Sequence, residues 1–225
     1  KRLWYDDYER RSGLVRFLSS DVTIDALERA QADELGDFVE GPFEVVHTEG
    51  GMIVLQRRGA VAAADGSRVP VRVRKTIGLI AARRDPGLTM SIEVANEGSQ
   101  PIEARLAIEW SLNMLGGGAN PEAWLAAGGQ RHTFDSKGEV GDTQEVSMGN
   151  DGVGIALRSR ATPAADACWY SIETISLSEQ GFERNHQGTC LLWSWPLRLE
   201  PGRSATFGVD MRIATSVDRA EEEGL

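Results

Sequence analysis

The sequence predicts an all-β chain folded as one large two-sheet antiparallel β-sandwich. Three observations carry this. Apolar residues recur at every second position in run after run, and polar turn motifs separate the runs. The runs reach about a dozen residues, roughly 40 Å at about 3.3 Å per residue, longer than the usual strand of an immunoglobulin-like sandwich.

The chain opens with an extended or helical segment, residues 1–40. Within it the acidic stretch DALERAQADELGDF, Asp25 to Phe38, suits a helix or an extended surface segment. Val71, Val73, Ile77 and Leu79 then alternate along a strand that Lys75 interrupts, and Leu88, Met90, Ile92 and Val94 continue the pattern. The longest run spans Ile102 to Met114, where every even position is apolar. Glu103, Arg105, Glu109, Ser111 and Asn113 fill most odd positions, so one dry face is expected. Further runs are Val153, Ile155 and Leu157; Leu191, Trp193, Trp195, Leu197 and Leu199; and Ala205 to Ile213. Pro196 lies within the second of these and argues for an edge or a bulge, because it cannot donate to a ladder. Turn motifs stand between runs at Glu49 to Gly51, Ala64 to Ser67, Asn96 to Pro101, Gly149 to Gly152 and Glu200 to Ser204. No internal repeat, linker or second domain is visible.

With 34 acidic against 24 basic residues, the 225-residue chain carries a net charge of −10, which makes nucleic acid a poor partner. No apolar run approaches membrane-spanning length, so a soluble domain without a membrane partner is expected. Cys168 and Cys190 both lie in apolar runs, which favours buried thiols over a disulfide, and a cytoplasmic origin fits. The first residues, KRLWYDDYERR, contain no apolar signal region and suggest a domain excised from a longer polypeptide.

Three places invite chemistry. The stretch SIETISLSEQGFERNHQGTC, Ser171 to Cys190, sets Glu173, Glu179, Glu183 and Gln187 near His186. Neither face of the flanking strands is plainly the wet one, and Ser178 to Gly188 is expected to form a long loop of the kind that often makes contacts. His186 as acid with Glu183 or Glu173 as base would suit a sugar epimerase, although the spacing fixes no such pair. The second place is the Gly-rich stretch Gly116 to Gly129, where Trp124 either stacks on a sugar ring or packs down as a lid over the sandwich end; the lid is preferred. The third is weak. Asp142, Asn150 and Asp151 offer oxygen ligands for calcium but form no recognisable calcium loop, so no cofactor is expected.

Several segments in this order, WYDDYERRSGLVRFL (4–18), ELGDFVEGPFEV (34–45), RVRKTIGL (72–79), WSLNMLGGG (110–118) and above all SIETISLSEQGFERNHQGTCLLWSWPLRLEPG (171–202), resemble a known family. The chain is similar to the C-terminal β-sandwich domain of prokaryotic α-amylase/4-α-glucanotransferases of glycoside hydrolase family 57. The most telling residues are Glu173, Thr174, Ser176, Ser178, Glu179, Gly181, Phe182, Glu183, Gln187 and Gly188. The resemblance implies a supersandwich of the galactose-mutarotase-like type, placed after a catalytic (β/α) barrel that holds the nucleophile and the acid/base. One departure is Val15 and Arg16 ahead of Phe17, where the family tends to have an Asp-His pair.

Three functions follow as expectations. The first is a non-catalytic accessory domain that stabilises or completes an α-glucan-processing barrel, with the loop residues Glu173, Ser178, Glu179, Glu183 and Gln187 at the interface and carbohydrate contact as a secondary role. The second is an autonomous module binding α-glucan or maltooligosaccharide through Trp124 and His186. The third is a mutarotase-like epimerase. The first is preferred.

Overall fold

The structure, a computed structural model, describes residues 6, 8–115, 117, 119–178 and 181–215. Its elements in order are β1 (Leu14–Leu18), α1 (Ile24–Glu28), β2 (Glu44–Glu49), β3 (Met52–Ala62), β4 (Arg68–Ile80), β5 (Gly87–Asn96), β6 (Ile102–Leu112), β7 (Ala123–Ala127), β8 (Gln130–His132), β9 (Gly138–Asn150), β10 (Ile155–Ser178), β11 (Gly181–Leu199) and β12 (Ser204–Thr215).

All pairings between these strands are antiparallel, and their hydrogen bonds form one continuous sheet in the order β1-β6-β11-β10-β12-β5-β4-β3-β2, with β7, β8 and β9 branching from β10. The sheet makes two leaves because β10 serves both. Its first part, Ile155 to Thr162, pairs with β12, and its second, Asp166 to Ser178, pairs with β11. The register irregularities along β9 between Arg160, Ala165 and Ala167 mark the corner. Inner-face residues of both leaves meet in a single core: Val71, Val73, Met90, Ile92 and Val209 from one, Leu106, Ile108, Trp110, Leu191 and Trp193 from the other. Trp193 Nε1 crosses between the leaves to donate to Ser159 Oγ at 2.9 Å. The all-β two-sheet expectation and the even-position core of the longest run therefore hold.

The leaf of β6, β11 and the second part of β10 is buried on its outer face as well. Leu18, Leu27, Ala107, Cys168, Tyr170, Cys190 and Leu192 form a second cluster beneath the segment that carries α1. Both cysteines are free and buried there, as the apolar setting predicts. Burial pushes the Cys168 thiol up to about 12, so it behaves as an inert apolar group.

Several expectations need correction. Asp25 to Phe38 is not one helix. α1 is little more than a single turn, capped by Thr23 Oγ1, which accepts from Ala26 N at 3.2 Å; Ala30, at φ 51°, ends it. The chain then runs extended, bridging Leu18 at Glu34 and Val61 at Gly36. Ser178 to Gly188 does not form a long loop, because β10 and β11 stay paired, through one bulge at Gln187, out to Ser178↔Gly181. Part of the Gly116 to Gly129 stretch is strand β7, paired with β9. Pro196 sits inside β11 opposite Arg105 of β6, but the last partner of β11 on β10 is Ser194. The proline is thus flanked on one side only, the local edge that its missing donor requires.

Lys75 occupies an inner-face position of β4 and is 8% exposed. Its ammonium donates to Gly13 O at 2.9 Å and lies 4.1 Å from the centre of the Phe43 ring. Burial pushes its pKa down to about 8 from an unfolded value of 10.5. The unfolded chain therefore holds more protons between these two values, so this group makes stability rise with pH across that window, with a constant cost below it. Lys75→Met should stabilise the fold at pH 7 by about 3 kcal/mol, and that advantage should vanish as pH approaches 10.5. Urea denaturation of both proteins at pH 7, 8.5 and 10 checks it.

Candidate functional site

The hairpin of β10 and β11 extends beyond the body of the sandwich. On one flank β9 leaves β10 at Trp169↔Gly138; on the other, pairing of β6 with β11 begins only at Thr189↔Leu112. Residues 173–178 and 181–186 therefore form a two-stranded arm with no third strand beside it among the described residues. A bulge at its base, where Ile172 opposes Gly188 and Glu173 opposes His186, leaves Gln187 as the extra residue. Gly188 is needed at this point, since a Cβ there would lie 2.8 Å from Leu112 O of the neighbouring strand.

Side chains at the arm's base are largely committed to holding it. Glu173 pairs with the guanidinium of Arg184 across the strands. Gln187 Nε2 donates to Thr174 Oγ1 at 3.0 Å, and Gln187 O accepts from Asn113 Nδ2 at 2.8 Å. Asn185 Nδ2 donates to Ser176 Oγ at 2.8 Å, while Glu183 is exposed opposite Ser176. His186 Nδ1 lies 2.8 Å from Ser171 Oγ, and its ring stacks on Phe134 at 6.0 Å and 9°. Desolvation by these neighbours lowers its pKa, against the pull of Glu173 and Asp135. Glu179 and the side chain of Ser178 lie outside the described residues. Cross-strand pairs of this kind contribute about 0.2–1 kcal/mol each, enough to order a short ribbon anchored at one end.

The register decides the acid/base question. Residues directly opposite share a face, so His186 faces with Glu173, whereas Glu183 faces with Ser176 on the other side of the arm. His186 and Glu183 cannot converge, and Glu173 is already neutralised by Arg184. Trp124 packs down into β7, 8% exposed, as the lid reading expects. Its Nε1 donates to Asp151 Oδ1 at 3.0 Å and the Arg131 guanidinium lies 4.2 Å from its ring centre, leaving little open face for a sugar. Asn150 spends its amide on Met114 O and Leu115 O, and Asp142 stands beside Asp166 on a different part of β9. Among the described residues no group of three or more His, Cys, Asp or Glu is placed to hold a metal, and no helix is long and apolar enough to cross a membrane.

Sequence reasoning missed the most concentrated chemistry in the chain. Glu109, an odd-position residue of β6, is fully buried. It accepts from Tyr8 Oη at 2.8 and 2.9 Å and from Arg16 Nη1 at 2.9 Å. Arg16 also donates through Nε to Glu34 Oε2 at 3.0 Å, and Glu34 Oε1 accepts from Phe17 N at 2.7 Å. Arg10 Nη1 donates to Tyr170 Oη at 2.8 Å. Burial pushes the Glu34 carboxyl upward against the stabilising Arg16, and burial beside Glu109 raises the Tyr8 hydroxyl. A cleft of about 340 Å³ opens beside Tyr8, Arg16, Glu34 and Asp37, but these polar groups already bond to one another or, for Asp37, to Arg57, Arg68 and Ala60 N. The cluster fastens Tyr8 and Arg10 to the outer face of the leaf. The available signal was Arg16 inside the apolar run LVRFL, a charge that burial on both faces would force into a pair.

The two-leaf sandwich is similar in fold to galactose-mutarotase-like proteins. The galactose mutarotase related enzyme from Lactobacillus acidophilus superposes with a TM-score of 0.54 at 11% identity, over 93% of this chain and 82% of that one, a likeness of fold alone. The sequence is more specific. A family model described as alpha-amylase/4-alpha-glucanotransferase, C-terminal, matches residues 1–208, and the chain belongs to this family. It is 30% identical over 198 residues to an alpha-amylase from Pyrococcus abyssi, covering 88% of this chain and 26% of the relative. The crystal structure of 4-alpha-glucanotransferase from Thermococcus litoralis superposes with a TM-score of 0.73 at 25% identity, over 93% of this chain and 28% of that one. The chain thus spans about a quarter of the length of the relatives it matches.

Removing one partner of the buried cluster strands the others. Glu109→Ala should destabilise the domain by about 3–5 kcal/mol, because buried Arg16 and half-buried Tyr8 lose the carboxylate they share. Urea unfolding of this variant beside Glu103→Ala, an exposed carboxylate of the same strand, checks it.

Proposed function

We infer that this chain is the non-catalytic C-terminal domain of a longer, cytoplasmic α-glucan-processing enzyme of the α-amylase/4-α-glucanotransferase kind, in glycoside hydrolase family 57. Its partner is a catalytic barrel in the same polypeptide. The observation that supports this best is the family match along residues 1–208 in a chain spanning about a quarter of its relatives' length. The side chains add to it. The only histidine near the acidic stretch is stacked on Phe134, Glu173 is held by Arg184, and Glu183 faces the other way. Such groups shape a structure rather than move protons. Carbohydrate contact by this domain is secondary, since the ring of Trp124 is covered.

The gene upstream of Lys1 should encode a barrel with two carboxylates in glycosidase geometry. In the full-length protein, Glu183→Gln and His186→Ala should each leave turnover of maltooligosaccharides unchanged wherever folding is intact, as judged by circular dichroism and a product assay. A selective loss of turnover in a folded variant overturns the non-catalytic reading.

A further inference from the structure

The arm and the end of the sandwich from which it leaves carry an apolar surface that the domain itself does not cover. Of the eight large apolar side chains exposed among the described residues, six fall here: Leu79, Leu115, Val153, Leu177, Phe182 and Ile213. Their neighbours link them. Leu79 pairs with Leu88, Leu88 with Met211, and two residues on Ile213 pairs with Leu157 at the start of β10. Beside that start Asn150 accepts from Val153 N at 3.2 Å and donates to Leu115 O at 2.7 Å. Leu115 N in turn donates to Asn113 Oδ1, whose amide group holds the base of the arm through Gln187 O. The rim is therefore continuous with the arm. Ile77, Leu88, Leu112 and Met114 lie behind it, only partly buried.

The arm has a dry face and a wet one. Ile175 opposite Arg184 and Leu177 opposite Phe182 continue the inner-face stripe of Trp169 beyond the body, while Thr174, Ser176, Glu183 and Asn185 occupy the other side. Leu177 is 77% and Phe182 61% exposed, an arrangement that costs solubility unless something covers it.

The geometry points to this rim and the dry face of the arm as one docking surface, and to the rest of the same polypeptide as its occupant. This deepens the reading of the previous subsection and rests on it. Two observations select the occupant. Relatives that share this domain carry about three times as much chain again outside it. A second copy is disfavoured, because each carries a net charge of −10, whereas a covalently linked neighbour faces the rim at an effective concentration in the millimolar range. Leu177 and Phe182 are the anchors that enter the neighbour's surface, and the Glu173–Arg184 pair sits at the rim of the contact.

Hydroxyl-radical footprinting of the full-length protein tests this, each residue being compared with its own rate in urea. Leu177 and Phe182 should be protected several-fold, as Phe17 is, with Val45 near its unfolded rate. Leu177→Lys with Phe182→Lys should split one cooperative melting transition into two while Phe17 stays protected; Thr174→Lys on the wet face should not. If the gene encodes a barrel and Phe182 nevertheless reacts as freely as Val45, the docking surface is refuted and the accessory role stands. A gene with nothing beyond this domain overturns both. Protection that grows with protein concentration assigns the surface to a second copy and also overturns the proposal.

Discussion

The fold depends on β10. A strand of 24 residues in the middle of a sheet has to satisfy its backbone donors and acceptors along its length, and this one does so by changing partners rather than ending. β12 and the later part of β9 take its first third, and β11 and the start of β9 its remainder. Because the ladder passes through the corner, the two leaves are hydrogen-bonded to each other as well as packed, and the inner faces of both are brought into register. Trp193 reaching Ser159 and Trp195 reaching Pro163 O at 3.0 Å are consequences, since both rings bridge the fold that the corner creates. The same strand, continued past its last third partner, becomes the arm.

A second constraint acts from outside. The leaf containing β6, β10 and β11 is covered on both faces, which is unusual for an antiparallel sheet, where one face commonly meets water. The outer cover is a segment with one short turn of helix, and its side chains bond to backbone amides of the strands beside it. Glu34 takes the amide of Phe17, and Asp37 takes that of Ala60. Glu109 is the anchor. A carboxylate at zero exposure is tolerable only with two hydroxyl contacts and an arginine, and an apolar residue of that volume would cost less in isolation. What the charge adds is direction, because its oxygens tie both Tyr8 and Arg16 to one point on β6.

This explains which parts of the molecule were legible in the sequence. Period two reports apolar side chains opposite polar ones, so β5, β6 and β12 stood out, with their inner apolar residues assigned correctly. It says nothing where both faces are dry. Cys168, Trp169, Tyr170 and Leu192 are all buried, and the sequence around them offered no wet side to find. Glu109 was counted as the polar half of an alternation because its partners lie about a hundred residues away in sequence. The arm was mistaken for a loop for a related reason. Its strands are polar on one face and broken by charges on the other, so they lack the hydrophobic rhythm of core strands, and their pairing is with each other alone. Trp124 was legible as a lid, but the cation above its ring was not.

The arm also separates what the fold requires from what it does not. Core strands end where their partners end, and a hairpin that outruns its sheet gains only its own cross-strand pairs while still losing the entropy of every residue it orders. Polar residues on both faces would have met that need with no exposed apolar area. Instead the inner stripe persists through Ile175, Leu177 and Phe182, past the last point at which the opposite leaf can reach it. Side chains that contribute nothing to the domain's own core, held in register by a bulge, a required glycine at 188 and the amide of Asn113, are placed by the domain for a surface other than its own.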